Sequence, residues 1–96
     1  MVTGYRVIVP PAPQQELDKL PDAVREEVVH RLSELREDPR PPDARLLDHY
    51  TQHYRIYAFR SLYRVIYLVS DKQRRVVVQR IRHRTDAYKG MRGSEG

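Results

Sequence analysis

The 96-residue chain is long enough for one domain and too short for two. Its 40% hydrophobic and 32% charged residues fit a folded globular protein with a modest core, not a disordered chain. With no cysteines it forms neither disulfides nor a cysteine-based zinc site. No apolar run approaches the roughly 18 residues of a membrane span, and the N-terminal MVTGYRVIVPP lacks the basic-then-apolar order of a secretory signal. The expected location is the cytoplasm, with residues 1–90 as one domain and 91–96 as a flexible tail.

The net charge of +5 is unevenly spread. Residues 1–48 hold 7 Lys/Arg against 10 Asp/Glu, and residues 49–96 hold 11 against 3. The cations are 15 arginines and 3 lysines. Arginine stays charged at any useful pH and grips phosphate through a planar fork of donors. A basic C-terminal half therefore points to a polyanion, with nucleic acid the leading partner; a plain solvated arginine-rich surface is the alternative.

In chain order, Tyr5–Val9 reads as a short strand closed by Pro10 and Pro11. Pro13 suits a helix start, where its missing N–H is not needed, and a helix over Pro13–Lys19 presents Leu17 and Leu20 to one side. The strongest helical pattern runs from Pro21 to Glu37. Its apolar residues Leu20, Val24, Val28, Leu32 and Leu35 form one stripe. Asp22, Glu26 and Glu27 suit the positive N-terminal end, and Asp38-Pro39 closes it. A proline-rich connector follows. A short strand is expected within Ala44–Tyr50, around Leu46-Leu47. Tyr54–Phe59, Leu62–Val69 and Arg75–Arg82 are strand-like, rich in Val, Ile and Tyr. Their short connections, Arg60-Ser61 and Asp71–Arg74, require antiparallel neighbours. The expected fold is α+β: an N-terminal strand, then a helix hairpin packed on one face of an antiparallel sheet.

The helices can cover only one sheet face. In Leu62–Val69 the set Tyr63, Val65, Tyr67 and Val69 alternates with Leu62, Arg64, Ile66 and Leu68. A buried unpaired arginine is costly, so Arg64 marks the open face. If Arg60-Ser61 is a two-residue loop, Tyr57 lies opposite Arg64 and Arg55 opposite Ile66. Arg55, Tyr57 and Arg64 then share that face. Pattern alone leaves open whether Arg80 and Arg82 join them. Guanidinium groups and phenols together suit phosphates and splayed bases.

These segments resemble the RelE/ParE superfamily of bacterial toxins. The resemblance rests on the Leu-Pro helix hairpin, the helix ending in Asp-Pro, Leu46-Leu47, Tyr54-Arg55-Ile56, Tyr63-Arg64-Val65-Ile66-Tyr67 and His83-Arg84 with Tyr88. It spans residues 5 to about 90 and leans to the RelE branch. It implies the toxin of a type II toxin–antitoxin module, an endoribonuclease that enters the ribosomal A site and cuts mRNA there. It implies no metal and no cofactor. The 2′-hydroxyl would attack the adjacent phosphate in line, leaving a 2′,3′-cyclic phosphate and a 5′-hydroxyl. The family's catalytic positions fall on Arg55, Tyr57, Arg64, Arg84 and Tyr88, with Arg82 the alternative to Arg84. Arg55, Arg60, Arg82, His83 and Lys89 are the expected nucleic-acid contacts. The expected partners are the ribosome, its mRNA and a small acidic or amphipathic antitoxin.

Tyr57 stands where some members carry a lysine. Arginine cannot serve as a base, and tyrosine ordinarily titrates near 10. The general base therefore stays open between Tyr57, Tyr88 and His83, with His49 and His53 read as loop residues. Two rival readings remain: a ParE-like gyrase inhibitor on the same fold, and a non-catalytic RNA- or ribosome-binding domain.

Overall fold

A computed structural model describes residues 4–91. The elements run β1 (Arg6–Ile8), α1 (Pro11–Asp18), α2 (Asp22–Leu35), β2 (Arg45–Asp48), β3 (His53–Ala58), β4 (Tyr63–Ser70) and β5 (Arg75–His83). Most of the expected tail lies outside the described residues.

Helix α1 begins two residues before the expected start. Pro11 and Pro13 both fall in its first turn, where backbone N–H groups have no helical partner, so neither ring removes a hydrogen bond. Pro21 caps α2, and Arg25 Nη1 donates to the Leu20 carbonyl at 2.8 Å, which ties the tight turn together. The helical stripe is buried as patterned: Leu17, Val24, Val28, Leu32 and Leu35 join Ile56, Val65, Tyr67, Val76, Val78 and Ile81 in one core. Leu20 and Tyr63 pack on it half-buried. Each fully buried Val or Leu side chain contributes about 1.5–3 kcal/mol. Tyr67 is fully buried, and its hydroxyl donates to the Pro39 carbonyl at 2.7 Å.

The five strands form one sheet in the order β1-β5-β4-β3-β2. The meander is antiparallel, but β1 pairs with β5 in parallel, a helix-containing crossover away, so the sheet is mixed. His53, expected in a loop, is the first residue of β3.

Two irregularities set the open face. In the β3–β4 hairpin, Tyr57 pairs with Arg64 and Arg55 with Ile66, as expected. The ladder ends at Ala58–Tyr63, however, and Leu62 N–H closes the turn on the Phe59 carbonyl at 3.0 Å. Phe59, Arg60 and Ser61 all have positive φ (52°, 57° and 65°). That left-handed run matches the strand twist of a tight hairpin, but without the glycine that usually supplies it. It also carries Phe59 away from Arg55 and Tyr57 and onto the core.

The second irregularity is a β-bulge in β5. Ile66 pairs with Arg80 while Tyr67 pairs with Val78, leaving Gln79 as the extra residue. Val76 and Val78 face the helices, and so does Ile81. Without the extra residue Arg80 and Arg82 would follow Val76 and Val78 into the core. With it, they stand opposite Ile66 and Arg64 on the open face.

That face is partly roofed by the chain itself. Residues 84–90 form successive turns, closed by Asp86 N–H to the His83 carbonyl and Lys89 N–H to the Asp86 carbonyl. Arg80 Nη1 donates to the carbonyls of Ala87 at 3.0 Å and Lys89 at 2.6 Å. Ile66 and Ala87 are both fully buried, yet neither belongs to the core under the helices. Ile66 lies on the open side of the sheet, opposite Arg80.

Candidate active site

The open face carries a stack of three side chains. The Arg55 guanidinium carbon lies 4.0 Å from the Tyr57 ring centroid, and that of Arg64 lies 4.4 Å from it. Strand alternation puts Arg55 and Tyr57 on one side of β3, and cross-strand pairing adds Arg64 from β4. The backbone of Tyr57 is fixed from the helix side of the connector. Its N–H donates to Asp43 at 3.3 Å, and Asp43 pairs with Arg31 of α2 at 2.6 Å. Burial pushes the Asp43 carboxyl up, but Arg31 and the Tyr57 N–H more than offset this and hold it below its ordinary value.

Electrostatically the stack is incomplete. Arg55 is only 6% exposed, and its Nη1 has no hydrogen-bond partner. Arg64 donates through Nη1 to the Ser61 carbonyl at 2.6 Å, but its buried Nε is unpartnered. Among the described residues neither arginine forms an ion pair, whereas Arg25, Arg31, Arg40 and Arg82 all do. A cation over an aromatic face recovers about 0.5–2 kcal/mol. A buried guanidinium without a counter-ion costs more than that, and two of them over one ring repel. An anion bound beside the stack would take up free donors and offset the repulsion.

The other expected residues divide between the two sides. Arg82 stands opposite Arg64, and its Nε is bonded to Glu16 of α1. Arg84 lies just past β5, exposed, with its N–H on the Leu62 carbonyl at 2.8 Å. Tyr88 is half-buried in the turn segment. Residues 84–88 form turns, and among the described residues no hydrogen bond or ring contact joins Arg84 or Tyr88 to the stack. Arg60 is exposed at the hairpin tip, and Lys89 pairs with Asp86 at 2.9 Å. His83 pairs with Tyr63, and their rings meet edge-on at 5.4 Å, which places it on the helix-covered side, away from Arg64. Its Nδ1 accepts the Thr85 N–H at 3.2 Å.

Glu16 has no signal in the sequence, and the bulge settles the face of Arg80 that pattern alone left open. Arg80 holds the turn segment; burial and then Arg82 push its guanidinium below the ordinary value, and Glu16 opposes them. Glu16 is 66 positions from Arg82, and no local pattern signals such a pairing. Among the described residues no group of three or more His, Cys, Asp or Glu could hold a metal ion, and no helix is long and apolar enough to cross a membrane.

The sequence matches, over residues 7–88, the family described as ParE toxin of the type II toxin–antitoxin system parDE. No curated protein matches it. The fold is similar to that of the RelE toxin in the archaeal RelE–RelB complex of Pyrococcus horikoshii. There the TM-score is 0.75 and the identity 27%, over 88% of this chain and 100% of that one. It is similar to a mutant Escherichia coli RelE in the free state (0.73, 26%, 94% and 100%). It is also similar to a chain of the Mycobacterium tuberculosis RelBE2 toxin–antitoxin complex (0.70, 25%, 84% and 99%). The sheet, the helix hairpin and these matches define the toxin of a type II toxin–antitoxin module. The chain belongs to the RelE/ParE superfamily, with a RelE-like fold.

Proposed function

We propose that this toxin is a ribosome-dependent mRNA endoribonuclease whose scissile phosphate binds at the Arg55–Tyr57–Arg64 stack. The observation that carries the reading is the pair of counter-ion-free guanidinium groups on one tyrosine ring, Arg55 buried and Arg64 half-buried. They stand on two paired strands of one sheet, a preorganised arrangement of the kind that stabilises charge as it develops.

In the reaction the mRNA 2′-oxygen bonds to the adjacent phosphorus as the bond to the 5′-oxygen breaks. A base takes the 2′-hydroxyl proton, and the departing 5′-oxygen gains one, leaving a 2′,3′-cyclic phosphate and a 5′-hydroxyl. Arg55 and Arg64 hold the non-bridging oxygens. Arg82, across from Arg64, extends the cationic surface along the strand, and Arg84 adds charge where mRNA leaves the sheet. Tyr57 holds both guanidiniums against its ring. Of the base candidates Tyr57 belongs to the stack itself, Tyr88 lies in the turn segment held by Arg80, and His83 faces the other side of the sheet. In-line positioning on the ribosome supplies much of the acceleration.

The cognate antitoxin is the other partner. It neutralises by placing carboxylates on this basic face or by displacing the turn segment around Tyr88. The similar M. tuberculosis and P. horikoshii structures are toxin–antitoxin complexes.

Toeprinting on programmed ribosomes tests the reading. Added toxin should cut mRNA in the A site, equally well after prior dialysis of the toxin against a chelator. Intact mRNA, or cleavage lost through that dialysis of the toxin, would refute the proposal. The ParE description of the matching family favours gyrase inhibition as the second reading; there supercoiling would stop while translation continued.

A further inference from the structure

We infer that Glu16 is the positioning residue for Arg82, aiming its guanidinium along the open face toward the phosphate held by Arg64. This rests on the proposed function above.

The Glu16 carboxylate divides its two oxygens between two donors. Oε1 accepts the Ile81 backbone N–H at 2.9 Å, and Oε2 accepts Arg82 Nε at 2.5 Å. The first bond plugs an open sheet edge. β1 pairs with β5 only over Arg75–Val77, so the Ile81 N–H lies beyond its reach. The second bond engages the arginine from the side. A bidentate pair would use both oxygens on the guanidinium and saturate one flank of it. Here the second oxygen is taken by the backbone, and among the described residues the two terminal nitrogens of Arg82 have no partner.

Arg82 is therefore gripped at its base with its outer fork free. The Glu16 and Arg82 side chains are 25% and 34% exposed, so the pair is restrained rather than a mobile surface contact. At the sheet edge it also lines a cleft of about 410 Å³ with Lys19, Leu20, Ile81, His83 and Asp86. Among the described residues Glu16 is the one carboxylate hydrogen-bonded to any of Arg55, Arg64, Arg80 and Arg82. It sits on the residue facing Arg64 in the ladder. It offsets repulsion within the arginine group and leaves the Arg55–Arg64 stack uncompensated.

Glu16→Gln separates aiming from folding. The amide oxygen can still accept the Ile81 N–H, but the amide nitrogen cannot accept from Arg82 Nε. Its melting temperature should stay near that of the parent. Its single-turnover cleavage rate on saturating ribosomes should fall about tenfold, the worth of one charge-assisted hydrogen bond. Arg82→Ala should cost a similar factor in the parent and less than about twofold in the Glu16→Gln background, as expected for coupled partners. A parental rate for Glu16→Gln, or equal losses from Arg82→Ala in both backgrounds, would overturn the inference. Should Glu16→Gln unfold, Arg82→Lys decides. A lysine held by Glu16 has no outer fork and should be as slow as Arg82→Ala; a restored rate would overturn the inference. Parental protein that leaves mRNA whole would instead refute the proposed function. The same cycle read as affinity for a short single-stranded RNA then decides on Glu16, with equal losses in both backgrounds, or no binding at all, counting against it.

Discussion

Two arginines of this toxin stack on tyrosines in opposite circumstances. Arg40 lies 5.0 Å from the Tyr54 ring, and every face of its guanidinium is used. Nε donates to the Tyr54 hydroxyl at 2.7 Å, Nη1 and Nη2 take both oxygens of Asp71 at 3.0 Å, and Nη2 also reaches Gln52. Tyr5 adds its hydroxyl to Asp71 at 2.6 Å, which ties β1 to the connector and the β4–β5 turn. Arg64 makes a similar ring contact on Tyr57, but it has one carbonyl partner, an orphaned Nε and a second guanidinium across the ring. The ring contact is common to both; the carboxylate is what differs. Where the protein supplies the anion, the arginine holds the fold together. Where it withholds one, the arginine remains able to hold an anion from outside.

Alanine at each position breaks this comparison most directly. Arg64→Ala should reduce single-turnover cleavage by about 10²–10³, the usual cost of losing a preorganised donor. Its thermal stability should be equal or slightly higher, because a cation without a counter-ion is removed. Arg40→Ala should do the reverse, leaving the rate of the folded protein intact while lowering stability by about 1–2 kcal/mol. That figure is kept small because the Asp71 side chain is 60% exposed. A slow Arg40→Ala or a fast Arg64→Ala would erase the distinction.

Acid sharpens the same contrast. The Arg40 hydrogen bonds, and then that of Tyr5, hold the Asp71 carboxyl below its ordinary value. A depressed carboxyl stabilises the fold fully above its unfolded pKa of about 4, and this is lost as pH falls through the lower folded value. Asp71→Asn should therefore flatten the acid limb of a stability–pH curve and leave the neutral-pH salt dependence of ribosome binding unchanged. That salt dependence belongs to the open face.

The smallest effect concerns the loop below the stack. Ser61 adopts φ 65° without being glycine. Ser61→Gly should relieve this and stabilise the protein by about 0.5–1 kcal/mol in urea unfolding. The Arg64 bond survives, because it goes to the backbone carbonyl. Unchanged cleavage by this variant would show that loop strain is no part of the site.

Much of this was legible along the chain because it depends on short-range periodicity. The stripe of Val24, Val28 and Leu32 can only be a helix face. The alternation through Tyr63-Arg64-Val65 can only be a strand with Arg64 turned from the core. The short Arg60-Ser61 loop set Tyr57 opposite Arg64, since hairpin length and register are linked. The sequence by itself therefore determined the α+β layout, the covered and open faces and the core of the candidate site.

What tertiary structure decided lies in places where distant residues meet. One extra residue, Gln79, moves Arg80 and Arg82 from the core face to the open face, and a bulge leaves no mark in a run of Val and Arg. Three left-handed residues turn Phe59 inward. Arg80 draws Ala87 and Lys89 back across the sheet. Glu16 reaches an arginine 66 positions away. Periodicity records which face of its own element a side chain takes; which partner awaits it is set only when the elements pack, because hydrogen bonds and ion pairs depend on separation in space and not along the chain.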